Sequence, residues 1–152
     1  MLVVLTCTPI HYRTFPPNYD ALTLVEWISA LKLATKYEFA GVRKRAIEHI
    51  FPKISEPGNI TMRFTLGRDY HVRAWIKDAC AALVNRHSPL TEDEGGVLGI
   101  SATVRIGAMR EERISCRSVY AVGDAVERVF ANELGPMDFV NGGYASRGGS
   151  PG

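Results

Sequence analysis

Apolar residues return every three or four positions over most of residues 23 to 134, the period of α-helices that each bury one face. The first helix opens at Thr23, because Thr23-x-x-Glu26 has the spacing of a capping box. Leu24, Trp27, Ile28, Leu31 and Ala34 then share one face, and the helix is expected to end near Tyr37. A second helix is expected over about Ala40 to Ile50, with Val42, Ala46, Ile47 and Ile50 inward and Pro52 as its stop. A third follows the turn Glu56-Pro57-Gly58, with Asn59 as N-cap and Ile60, Phe64 and Leu66 as apolar contacts. The fourth covers about Val72 to Asn85, with Val72, Trp75, Ile76, Ala79, Cys80 and Leu83 inward. Thr91-x-x-Glu94 opens a short fifth helix that Gly99 closes. A sixth is capped by Ser101 and runs to about Glu112, with Val104, Ala108 and either Ile106 or Met109 inward. A seventh is capped by Asp124, with Glu127 completing the box and Val126, Val129, Phe130 and Leu134 as its apolar residues.

Residues 33 to 46 recur, shifted by 33 positions, at 66 to 79. Leu33 aligns with Leu66, Tyr37 with Tyr70, Lys44 with Lys77 and Ala46 with Ala79. Ala34 aligns with Gly67, Phe39 with Val72 and Val42 with Trp75, so size or apolar character is kept at these places. Each copy reads as a helix end, a corner after the Tyr and a helix start. A duplicated helical hairpin is a stacking unit, an architecture for holding partners. The fold class that follows is mostly α: stacked antiparallel helical hairpins, with at most one vestigial strand over Leu2 to Leu5. The two copies are expected to superpose, and Trp27 and Trp75 to be buried.

The chain divides into a poorly defined segment 1–22, a helical domain 23–134 and a Gly/Ser-rich disordered tail 135–152. The 152 residues are 46% hydrophobic, enough for a core along most of the length, and carry a net charge of only +2. That balance gives no basic domain. Cys7, Cys80 and Cys116 are odd in number and widely spaced, which argues for free thiols in a reducing compartment. The apolar start, residues 1 to 10, is too short to span a bilayer, so no membrane association is expected.

The segment EWISALKLATKYEFAGVRKRAI, followed by Tyr70 and Val72, by Pro89-Leu90-Thr91, by Leu98-Gly99 and by Arg110-Glu111, resembles the closing helices of fungal BTB/POZ proteins and the BACK-like helices after them. The resemblance covers about Leu22 to Arg113. It implies a protein–protein interaction module, a scaffold or a substrate adaptor for cullin-type ubiquitin ligases, in the cytoplasm or nucleus. It also implies that the strands at the front of the BTB fold lie outside this sequence, along with much of the cullin-binding surface. Part of the wide apolar face of the first helix (Leu24, Trp27, Ile28, Leu31, Leu33) is therefore expected to stay exposed and to favour self-association.

Signals for chemistry are weak. Cys7-x3-His11 has the separation of two ligands on one helical turn, but no second pair completes a site among the four histidines, His11, His49, His71 and His87. Gly95-Gly96-x-x-Gly99 lies beside Glu92-Asp93-Glu94, whose charge repels phosphate. Asn59-Ile60-Thr61 reads as a cap before it reads as a glycosylation site, and a single Arg147-Gly148-Gly149 carries little weight for RNA. No catalytic, cofactor-binding or metal residue is expected, and no enzymatic activity. The alternative reading is a small helical nucleic-acid-binding protein using Arg43, Lys44 and Arg45. It requires these three, with Arg68 and Arg73, to share one exposed face.

Overall fold

A computed structural model describes residues 22–116 and 119–137. The expected strand over Leu2 to Leu5, the Cys7–His11 pair and Arg147 lie outside them. The described residues are helical, with no strand: α1 (Leu24–Lys36), α2 (Ala40–Ile54), α3 (Ile60–Asp69), α4 (Arg73–Asn85), α5 (Glu92–Leu98), α6 (Ile100–Ser115), α7 (Val122–Val129) and α8 (Ala131–Leu134). The chain is thus mostly α.

The 33-residue register is visible in the backbone. α1 ends at Lys36 and α3 at Asp69, and α2 begins at Ala40 and α4 at Arg73. Tyr37 and Tyr70 are the C-caps, at φ −104°, ψ 9° and φ −110°, ψ 12°. Glu38 and His71 follow with φ of 58° and 55°. Beyond them, the Phe39 amide donates to the Ala34 carbonyl at 3.0 Å and the Val72 amide to the Gly67 carbonyl at 2.8 Å. These are the 6→1 bonds of Schellman corners, formed here without the glycine that usually takes the left-handed position. The small residue in the register also has a reason: a Cβ on Gly67 would lie 2.9 Å from Ile76 Cγ1 and 3.1 Å from the Ile76 nitrogen. α3 and α4 therefore approach closely only because Gly67 lacks one.

Two buried clusters result. Trp27, Leu31, Ala46, Ile50 and Ile54 of the first hairpin pack with Val72 and Trp75 of the second, flanked by Leu66 and Tyr70. Trp27 stacks on His49, ring centroids 4.4 Å apart. The larger cluster joins Phe64, Ile76, Cys80, Leu83, Leu98, Ile106, Met109, Val126, Phe130 and Leu134 from α3 to α8. Both tryptophans are 1% exposed, as expected. The core also takes in Met137, 4% exposed, so packing reaches beyond the expected boundary at Leu134.

Several sequence expectations are corrected. Pro52 does not stop α2, which runs on to Ile54. Pro52 forfeits one backbone bond, but the last turn is held from outside. Ser55 Oγ donates to the Phe51 carbonyl, Asn59 Nδ2 to Lys53, Arg63 Nε to Ile54 and Arg63 Nη2 to Ser55. Asn59 occupies the N-cap position of α3, but its side chain is spent on Lys53 and caps no amide of α3. Val42 is half-buried, because Arg43 takes the inward position on α2.

α6 starts at Ile100 with Gly99 as N-cap, and Ser101 lies exposed inside the helix. Its buried residues are Ala102, Ile106 and Met109, whereas Val104 is 64% exposed and Ala108 is exposed too. The helix carries apolar residues on two opposite faces, and periodicity alone does not say which one meets the core. Asp124 is not a cap: α7 begins at Val122, and Glu127 reaches away to Arg73 and to Lys77, 2.6 Å from its Nζ.

The two expected capping boxes at Thr23–Glu26 and Thr91–Glu94 are both present. Glu94 does more than cap. It accepts from the Thr91 amide at 2.9 Å and takes a forked pair of bonds from Arg86, just past the end of α4. The Arg86 bond, with smaller help from the Thr91 amide, holds the Glu94 carboxyl at about 2, below its ordinary 4.5. A depressed folded-state value means the Glu94 contribution is full above pH 4.5 and fades as pH falls toward 2. Glu94→Gln should accordingly lower stability at pH 7 by about 1–2 kcal/mol, and the gap to the parent should close on acidification. Urea unfolding of both proteins across that range measures it; a gap independent of pH would contradict the assignment.

Candidate interaction surface

Leu66, Tyr70, Val72 and Trp75 of the second hairpin receive the first hairpin. The cluster they share contains Ala46, Ile50 and Ile54 of α2 and Trp27 and Leu31 of α1. Polar bonds fasten the same junction. Arg43, 7% exposed, donates to Thr35 Oγ1 at 2.5 Å and to the carbonyl of the corner residue His71 at 3.1 Å. Arg63, also 7% exposed, crosses in the other direction to the end of α2.

Moved back by 33 residues, this receiving set becomes Leu33, Tyr37, Phe39 and Val42. The first hairpin has the same backbone corner. Here they are uncovered: Leu33 is 55%, Tyr37 56% and Phe39 58% exposed, with Val42 half-buried. The Tyr37 and Phe39 rings lie 6.2 Å apart, and the Lys36 ammonium sits 5.4 Å from the centre of the Tyr37 ring. Lys32 of α1, next in sequence to Leu33, is exposed too. An exposed cluster of Leu, Tyr and Phe is an aromatic-rich patch suited to docking. The repeat alignment contained this signal. The register pairs Tyr37 and Phe39 with Tyr70 and Val72, which join the cluster between the hairpins.

The basic residues do not form one exposed face. Arg43 is buried and bonded to the His71 carbonyl, while Lys44 and Arg45 are exposed. Arg68 donates to the Leu98 carbonyl at 3.2 Å and lies 5.7 Å from the Phe64 ring centre, and Arg73 pairs with Glu127. Arg110 donates to the Leu83 carbonyl at 2.5 Å and to the Ser88 carbonyl at 2.9 Å, closing the end of α4. Arg68 and Arg110 thus serve the ends of α5 and α4, where carbonyls lack partners and the macrodipole is negative.

The Cys80 thiol is buried in the larger core and pushed up to about 12 by burial, so it is a packing group. Cys116 is exposed and free. An open cleft is lined by Glu112, Tyr120, Ala121, Asp124, Ala125 and Arg128, with neither Cys nor His among them. There Glu112 accepts from Tyr120 at 2.9 Å and from Arg128 at 3.0 Å; the Tyr120 bond comes first in holding its carboxyl below the usual range. Among the described residues, no three His, Cys, Asp or Glu side chains gather where they could hold a metal, and no helix is long and apolar enough to cross a membrane. No protein-family model matches the chain, and neither a search of curated proteins nor one of solved structures finds a match.

Proposed function

We propose that the protein is a protein–protein interaction module that accepts a helical element of its partner on the end face formed by Leu33, Tyr37, Phe39 and Val42. The observation that carries this reading is the exposure of the very positions whose counterparts, Leu66, Tyr70, Val72 and Trp75, hold a hairpin inside the molecule. A surface already used once in this geometry is pre-organised to be used again, which lowers the cost of binding. The resemblance to fungal BTB/POZ proteins supports the same reading and narrows it to a scaffold or cullin-type ligase adaptor.

Leu33→Lys tests the reading, since lysine is a good helix former and Leu33 is half-exposed. Tagged parent and Leu33→Lys proteins, purified from the source cells and compared by quantitative mass spectrometry, should differ in a defined set of proteins that the variant loses. Recovery of a cullin in that set supports the adaptor role. Identical recoveries from the two proteins would refute the assignment of the face, and nucleic acid retained equally by both would favour a role for Lys44 and Arg45.

A further inference from the structure

We infer that one occupant of the end face is a second copy of this chain, docked head to tail through the outer stripe of α6. The inference rests on the interaction reading above and names a partner for it. The outer face of α6 carries Ile100, Val104, Ala108 and Ile114, with Val97 of α5 beside its start. Val97 is 50%, Ile100 85%, Val104 64% and Ile114 76% exposed, and Ala108 is exposed. A helix with apolar residues on the face turned away from its own core has an uncovered surface to bury.

The stripe matches what the receiving positions already accept. Inside the molecule Leu66, Tyr70, Val72 and Trp75 share a cluster with Ala46, Ile50 and Ile54 of α2, a row at i, i+4, i+8. Ile100, Val104 and Ala108 form a row of the same spacing, again two β-branched residues and one alanine. Gly107, on the same face, has open space around the place a Cβ would take, which lets another backbone approach.

Charge also matches. Glu111 lies within the α6 stripe, three residues before Ile114, and Glu92 and Asp93 open α5, while the end face carries Lys32 and Lys36 with one acid, Glu38, between its two rings; all six are exposed. Like faces would bring like charges together, so pairing of unlike faces is favoured and pairing of identical faces is opposed. Contact of this kind is heterologous, so it builds rings or open chains of more than two copies. One face of α6 is about 24 Å long at 1.5 Å per residue, so the contact lies at the small end of specific interfaces and the association is weak and concentration-dependent.

The test uses the full chain and two single variants. Leu33→Lys spoils the end face, and Val104→Glu spoils the α6 stripe. Both residues are exposed, and circular dichroism and thermal melts check that each variant stays folded; Ile100→Glu serves for the stripe, and Tyr37→Lys for the end face, if a first choice does not. In analytical ultracentrifugation the parent should grow beyond dimer with concentration, and each variant alone should lose every species above monomer. An equimolar mixture should form a dimer that grows no further, because one intact end face meets one intact stripe. A parent that stays monomeric throughout overturns the inference, as does a variant that still dimerises alone or a mixture that stays monomeric. If the parent is monomeric yet still loses defined partners on Leu33→Lys substitution, self-docking fails while the interaction reading stands.

Discussion

Trp75→Ala should lower the unfolding free energy by about 3–5 kcal/mol, a large fraction of the roughly 5–15 kcal/mol that holds a domain folded. Trp75 is 1% exposed and belongs to α4, yet the cluster it completes is built mainly from α1 and α2. Its loss therefore leaves a void at the junction between hairpins. Trp27 and Ile50 cannot collapse into that space without drawing α1 and α2 away from their polar fastenings at Arg43 and Arg63. Chemical denaturation of parent and variant gives the number. The first hairpin should also open before the rest, seen as faster amide exchange in α1 and α2 than in α4 and α6. A variant as stable as the parent would show that the junction does not depend on this ring.

Arg63→Met should cost about 2–3 kcal/mol although it keeps most of the buried stem. The Arg63 guanidinium supplies the Ile54 and Ser55 carbonyls, both at 3.0 Å. Without it, these α2 carbonyls are left at a junction with poor access to water. The penalty should fall locally, as loss of exchange protection in the last turn of α2, which Pro52 already weakens. A denaturation midpoint unchanged by the substitution would mean that water replaces the guanidinium freely, and the capping role would be withdrawn.

The helices that were legible in sequence were those with a single apolar face or a side-chain cap. Thr23–Glu26 and Thr91–Glu94 announce their helices because a hydroxyl and a carboxylate three residues apart satisfy each other's free amides. The corners at Tyr37 and Tyr70 were legible through repetition, although neither Glu38 nor His71 is a residue that advertises a left-handed turn. Where two apolar faces compete, as on α6, the choice between Val104 and Ile106 is made by tertiary packing and not by the period. Pro52 misled because capping from Arg63 and Asn59 arrives from another element. Arg43 and Arg63 carried a signal of their own. A cation in phase with Ala46 and Ile50, or with Ile60 and Phe64, is on a buried face and must find acceptors there. The candidate surface was half legible: exposure of part of the α1 face was expected, but its match to the receiving positions of α4 needed the corner geometry.

A photoreactive phenylalanine placed at position 37 reports what lies against the end face in the working protein. On irradiation in the source cell, it should cross-link to helical segments of protein partners, including the stretch from Val97 to Ile114 of a second copy. Leu33→Lys introduced beside the probe should abolish them. A probe that captures no protein, or captures the same mixture with and without Leu33→Lys, would contradict the claim that this face is a docking site.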